Sequence, residues 1–120
     1  MTGILTVLQL VIAVGIFNVW VLRFNKATAW RGGVARNMRE EFAVYGLPPW
    51  SCGVVGFIKL LASGFLIAGV WIPELIKPAA LVIAVLMLVA VAMHVKVSDP
   101  VVRAVPASIM FLMALCLIVN

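Results

Sequence analysis

PWSCGVVGFIKLLASGFLIAGVW, residues Pro49–Trp71, decides how this chain is to be read. It is a run of about 20 apolar residues, the length that crosses the hydrocarbon core of a bilayer as a helix. Tryptophans at Trp50 and Trp71 stand at its two ends as interface anchors. A single lysine, Lys59, falls near its middle. A cation at that depth costs between about 3 and 17 kcal/mol, depending on how it is measured, so something must compensate it.

The whole chain supports the reading. It has 120 residues, of which 66% are hydrophobic and 11% charged, too little polar surface to coat a soluble domain. The sequence predicts an all-α membrane protein: a single membrane domain over residues 1–120, built as a four-transmembrane-helix bundle with a short interfacial helix in the first loop. The net charge of +5 does not point to nucleic acid, because five of the nine Lys and Arg lie between Arg23 and Arg39, beside a span. Such cations report topology.

The first span is expected over about 3–22, interrupted by Gln9 and Asn18. Ala27-Thr28-Ala29 has the small-x-small form of a signal-peptide cleavage site. Against cleavage, no cation precedes the apolar run, the run is longer than a usual signal core, and Arg23 and Lys26 follow it as stop-transfer charges. The loop to Pro48 breaks at Gly32-Gly33, and a helix is predicted over Val34–Tyr45. Val34, Met38, Phe42 and Tyr45 share one arc while Arg36, Arg39 and Glu40 point away, with Glu41 at the edge of the arc. Gly46 and Pro48-Pro49 end it. The second span is expected over about 50–71, the third over about 75–95 and the fourth over about 102–119. Asp99-Pro100 has the form of an N-cap and first helical residue for the fourth span.

Four spans put the loops Arg23–Pro49 and Lys96–Arg103 on one side, carrying seven Lys or Arg, against Lys77 on the other. By the positive-inside rule the basic loops are cytoplasmic and both termini lie on the non-cytoplasmic side, in a bacterial-type inner membrane. Cys52 and Cys116 fall near opposite faces, too far apart for a disulfide.

Lys59 shares its helical face with Cys52, Gly56 and Ser63, and small residues mark surfaces where membrane helices approach closely. It lies about 13 Å from the cytoplasmic end of its helix at 1.5 Å per residue. The plainer alternative is that its four-carbon stem snorkels to the headgroups. His94, on a stripe with Ala80, Ala84 and Met87, and Asn18 both lie near the cytoplasmic ends of their spans. Asn18, Lys59, His94 and the Glu40/Glu41 pair can therefore converge, with Glu41 the natural counter-ion for Lys59. For His94 the plainer alternative is an interface residue bonded to lipid or loop backbone. One His and few carboxylates predict no protein-only metal site, and no phosphate loop or nucleophile elbow is present.

RNMREEFAVYGLPPW at Arg36–Trp50, VGFIKLLASGFLIAGVWIP at Val55–Pro73 and AVAMHVKVSDPVVRAVPA at Ala90–Ala107, in that order and spacing, resemble the DoxX-like family of small four-helix membrane proteins. Many DoxX relatives carry a glutamate at the place of Lys59, and this chain departs from them there. Relatives include a membrane subunit associated with quinone-linked sulfur oxidation, subunits proposed to join membrane redox complexes, and NACHO-like proteins that assist receptor assembly. The resemblance therefore implies redox partners or chaperones without choosing between them.

Three functions follow as expectations. The first is a binding module whose cytoplasmic-side cavity, lined by Asn18, Glu40, Glu41, Lys59, Ser63 and His94, holds a lipophilic molecule such as a quinone or isoprenoid lipid, as a subunit of a membrane redox complex. The second is a non-enzymatic assembly, accessory or chaperone-like subunit, docked on a membrane-protein partner or a second copy. The third is a small transporter or channel, disfavoured because small multidrug exporters need a glutamate in the first span and none is present. No catalytic residue is assigned, quinone is the candidate cofactor, and membrane lipids are the expected surroundings.

Overall fold

The computed structural model describes residues 3–26, 31–33 and 35–120. Ala27-Thr28-Ala29 and Val34 lie outside them. Four apolar helical segments are long enough to cross a membrane: Gly3–Leu22, Pro49–Ala68, Pro73–Lys96 and Val101–Val119. The protein is a multi-pass all-α membrane bundle with no strands among the described residues.

The first segment begins as α1 (Gly3–Phe17) and ends in a π-helical turn, Asn18–Leu22, where the Arg23 amide donates to the Asn18 carbonyl at 2.9 Å. That wider turn carries Trp20 into the bundle, where it is 8% exposed. α2 (Met38–Val44) lies in the first loop. α3 (Pro49–Ala68) follows, with proline at its first position where no amide partner is lost. α4 (Ile76–Lys96) is entered through a 3-10 turn at Pro73–Leu75, and α5 (Val105–Val119) through another at Val101–Ala104.

α1 packs against α3 and α5, and α4 packs against the same two, so the four spans close into a ring. Its centre holds fully buried Ile12, Ile16, Leu66, Ile83 and Leu117. Ala13, Ala62, Ala80, Ala84 and Ala114 fill the close crossings. Phe57, Trp71, Leu81, Val85 and Leu112 point outward, exposed apolar surface that a soluble protein would not carry but lipid solvates. Buried Gln9 has a local task at the far end: the Val70 amide turns back to Ile67, and the Gln9 side-chain amide donates instead to the carbonyl of Leu66.

The loop helix is shorter than the apolar arc predicts. It begins at Met38 because Asn37 caps it: the Asn37 side chain accepts from the Glu40 amide at 2.9 Å, and Glu40 reaches back to the Arg36 amide at 3.0 Å. Its apolar side, Met38, Phe42 and Tyr45, is buried against the bundle, chiefly α3. Asp99 does not cap the fourth span either. No side chain caps the turn at Val101, and the Asp99 carboxylate is drawn inward by three other donors.

Candidate functional site

The end of the bundle covered by α2 encloses a cavity of about 600 Å³. Asn18, Glu41, Lys59 and His94 all line it, each from a different element. Glu40 does not: it lies on the outer side of α2, where Arg36 meets it at 3.5 Å, and this hydrogen-bonding holds its carboxyl below the usual carboxylate value. Ser63 is buried one turn beyond Lys59, its hydroxyl donating to the Lys59 carbonyl at 2.8 Å, and it does not line the cavity.

Lys59 is 9% exposed and its ammonium lies over the Trp20 ring, 5.1 Å from the centroid, a cation–π contact. The approach depends on Gly56, because a Cβ there would come within 2.8 Å of that ring. Phe42 packs edge-on against the same ring, 5.8 Å between centroids. Sequence reasoning found the lysine and missed the tryptophan, whose inward turn comes from the π-helical end of the first span.

Glu41 is not the direct counter-ion of Lys59. Its Oε2 receives Arg31 at 3.0 Å, and its Oε1 receives the Tyr45 hydroxyl at 2.7 Å and the Gly32 amide at 3.2 Å. It acts on Lys59 only through space. Arg31 is better placed to take the carboxylate because α2 and the preceding loop fold together. It is 4% exposed, and it also donates to the carbonyls of Lys26, at 2.8 Å, and Phe24, at 3.3 Å. Arg31 thus pins the loop to α2, and its sequence position beside Gly32-Gly33 gave no hint of this.

His94 is buried and does not face lipid. Its Nδ1 meets Asp99 Oδ2 at 2.8 Å, and its Nε2 lies 3.4 Å from the Tyr45 oxygen. With the hydroxyl proton directed to Glu41, the Tyr45 oxygen offers a lone pair to Nε2. Burial and the neighbouring Glu41 carboxylate both push the Tyr45 phenol far above its ordinary value, so it remains a hydroxyl. Asp99 Oδ1 accepts from the Gly33 amide at 2.9 Å and from Arg103 at 3.1 Å. Burial works to raise the Asp99 carboxyl, but the Gly33 amide, His94 and Arg103 outweigh it and hold the group below its usual range. Gly33 itself sits at φ +55°, and Ser98 at φ +57°, so the turns on both sides of Asp99 bend through left-handed backbone to bring it in.

A continuous polar line therefore runs Arg31–Glu41–Tyr45–His94–Asp99–Arg103 along one wall. It fixes the histidine's ring orientation and commits both carboxylates. Lys59 stands apart from it, lining the same cavity as apolar Ile16, Val55, Leu86, Met93 and Met110. Such an arrangement can donate hydrogen bonds or present positive charge to a polar group whose apolar remainder lies among the helices. Among the described residues no group of three or more His, Cys, Asp or Glu is placed to hold a metal ion, and Cys52 and Cys116 are free thiols.

Comparison with curated proteins and with solved structures gives no match. The model of the DoxX-like family matches residues 7–119, which takes in the first span from residue 7 on, the other three spans, the loop helix and every residue of the polar line. The chain belongs to the DoxX-like family.

Proposed function

We propose that the protein binds a lipophilic molecule, a quinone or an isoprenoid lipid, in the cavity between α2 and the four spans, and does so as a subunit of a membrane redox complex. The observation that carries this is the convergence of Asn18, Lys59 and His94 on one space of about 600 Å³, within the 300–1,000 Å³ typical of small-molecule sites. Lys59 Nζ donates to the ligand's oxygens, the His94 ring forms part of the wall beside them, and the walls from α1, α3, α4 and α5 take the tail. The polar line behind His94 keeps that ring in one orientation. Seven of the nine Lys and Arg lie in the two loops at this end, which supports a cytoplasmic placement of the cavity and a non-cytoplasmic placement of both termini.

The test is extraction of the purified protein with organic solvent and mass spectrometry of what it releases, for wild type and Lys59→Met. Stoichiometric quinone or isoprenoid lipid in the wild type, reduced in the variant, is the expected outcome. Wild-type protein that releases neither contradicts the reading.

A second reading, an accessory or assembly subunit, is favoured by a different face. Gly53 and Gly64 lie on the outer side of α3 with nothing within 4 Å of a Cβ built on either, which leaves room for another membrane helix to approach closely. Crosslinking in native membranes tests it, and a protein with no crosslinked neighbour contradicts it.

A further inference from the structure

We infer that the cavity selects an anionic amphiphile: a molecule whose headgroup is a carboxylate or phosphate and whose tail is apolar. This rests on the reading of the cavity as a site for a lipophilic molecule and narrows it to one with an acidic headgroup, setting a neutral quinone aside.

The charges that line the cavity are not balanced. Arg31 is neutralised by Glu41 at 3.0 Å, and Arg103 by Asp99 at 3.1 Å. Both carboxylates are also saturated by other donors, Glu41 by Tyr45 and Gly32, Asp99 by His94 and Gly33, so neither is free to serve a third cation. Lys59 and Arg23 remain. Among the described residues no carboxylate lies within ion-pair distance of either, and Arg23 is exposed at the rim, its Nε 3.4 Å from the Asn18 side-chain oxygen. Lys59 is more than nine-tenths buried, mid-helix in an apolar span, and among the described residues its ammonium meets only the face of Trp20 at 5.1 Å.

An aromatic face offsets only part of the desolvation of an ammonium. A full counter-charge in the same low-polarity space offsets far more than a neutral carbonyl dipole does, because charge-assisted hydrogen bonds are the strong ones. The neutralised state of Glu41 matters equally, since a free carboxylate at that wall would repel an acid headgroup. The same residue pairing that removes Glu41 from Lys59 thus makes the site receptive to an anion. The tail is accommodated by Ile16, Val55, Leu86, Met93 and Met110, contributed by all four spans.

The experiment uses full-length protein in phosphatidylcholine nanodiscs and native mass spectrometry titrations with four probes: palmitate, hexadecyl phosphate, hexadecanol and decylubiquinone. Either acid is expected to bind at least about tenfold more tightly than hexadecanol, the gap between a charge-assisted and a neutral hydrogen bond. Whichever acid binds more tightly assigns the headgroup to the carboxylate or the phosphate class. The preference collapses to about one in Lys59→Met and persists in Lys59→Arg. Equal binding of acid and alcohol by the wild type overturns the inference, as does a preference that survives Lys59→Met. Binding of decylubiquinone with no binding of either acid overturns the anion assignment and leaves the cavity reading standing, whereas no binding of any probe removes both.

Discussion

His94 and Asp99 lock together where α4 gives way to α5: Nδ1 of the histidine lies 2.8 Å from Oδ2 of the aspartate, and their side chains are 8% and 4% exposed. The same carboxylate holds the Gly33 amide and Arg103, so one buried group ties the first loop to the last turn. Removing it in Asp99→Ala leaves the Gly33 amide and His94 Nδ1 without that acceptor and Arg103, which keeps the Gly33 carbonyl at 2.7 Å, without its counter-charge. The expected cost is about 3 kcal/mol, read as a fall in melting temperature of the protein in detergent. The acid dependence has a definite sign. The Asp99 carboxyl is held below its ordinary value of 3.8, so it contributes stability that is present above that value and lost as pH falls through its depressed folded value. Wild type is expected to lose melting temperature in that window, and Asp99→Ala to lack that component.

Tyr45 is the sole tyrosine of the chain, which makes its ionisation directly readable by tyrosinate absorbance. Burial, then the Glu41 hydrogen bond, raise it far above 10.0. The folded protein is expected to show no tyrosinate signal at about pH 10 to 11, while the unfolded chain titrates near 10. Since the unfolded state releases that proton first, stability falls as pH rises past about 10. A normal titration in the folded protein contradicts the Tyr45–Glu41 contact.

The Arg31–Glu41 pair is expected to behave as a unit. Glu41→Gln leaves a buried guanidinium without its counter-charge and costs about 3 kcal/mol, whereas the same change in an Arg31→Met background costs much less. A double-mutant cycle on thermal stability measures the difference. Additive losses would mean that Glu41 pairs elsewhere, as the sequence alone suggests when it offers Glu41 to Lys59.

Glycine substitutions separate the two faces of α3. Gly56→Ala drives a methyl to 2.8 Å from the Trp20 ring and is expected to lower stability by about 1–3 kcal/mol despite the better helix propensity of alanine. Gly53→Ala and Gly64→Ala meet open space and are expected to be neutral or mildly stabilising for the isolated protein. Melting temperatures of the three variants check this, and equal behaviour contradicts the placement of Trp20 over Lys59.

The bundle itself was legible because each span announces itself by length and hydrophobicity, with Trp50 and Trp71 marking interfaces. The small residues around Lys59 correctly indicated a bundle-facing lysine, since Cys52, Gly56 and Ser63 share its burial. What sequence could not supply was partner choice. Glu41 had two cations in reach, and the fold of the Gly32-Gly33 turn, not any local pattern, gave it to Arg31. Asp99 before proline looks like a cap because capping is local, yet three donors from 4 to 66 residues away outcompete the helix end. Glu40 and Glu41 are adjacent and chemically equal; a register of one residue on α2 sends the first outside and the second in.

Native mass spectrometry of the intact protein purified from its own membrane, wild type beside Lys59→Met, tests the central claim most directly. Exchange of a buried ammonium that has no counter-charge among the described residues for a thioether of similar shape is expected to leave folding intact or improve it, so loss of ligand is not loss of structure. The expected result is a wild-type peak carrying one lipophilic molecule that persists through gentle activation and is missing from a Lys59→Met protein of equal or higher melting temperature. A wild-type spectrum of bare protein, or an adduct equally abundant in the variant, would contradict the account.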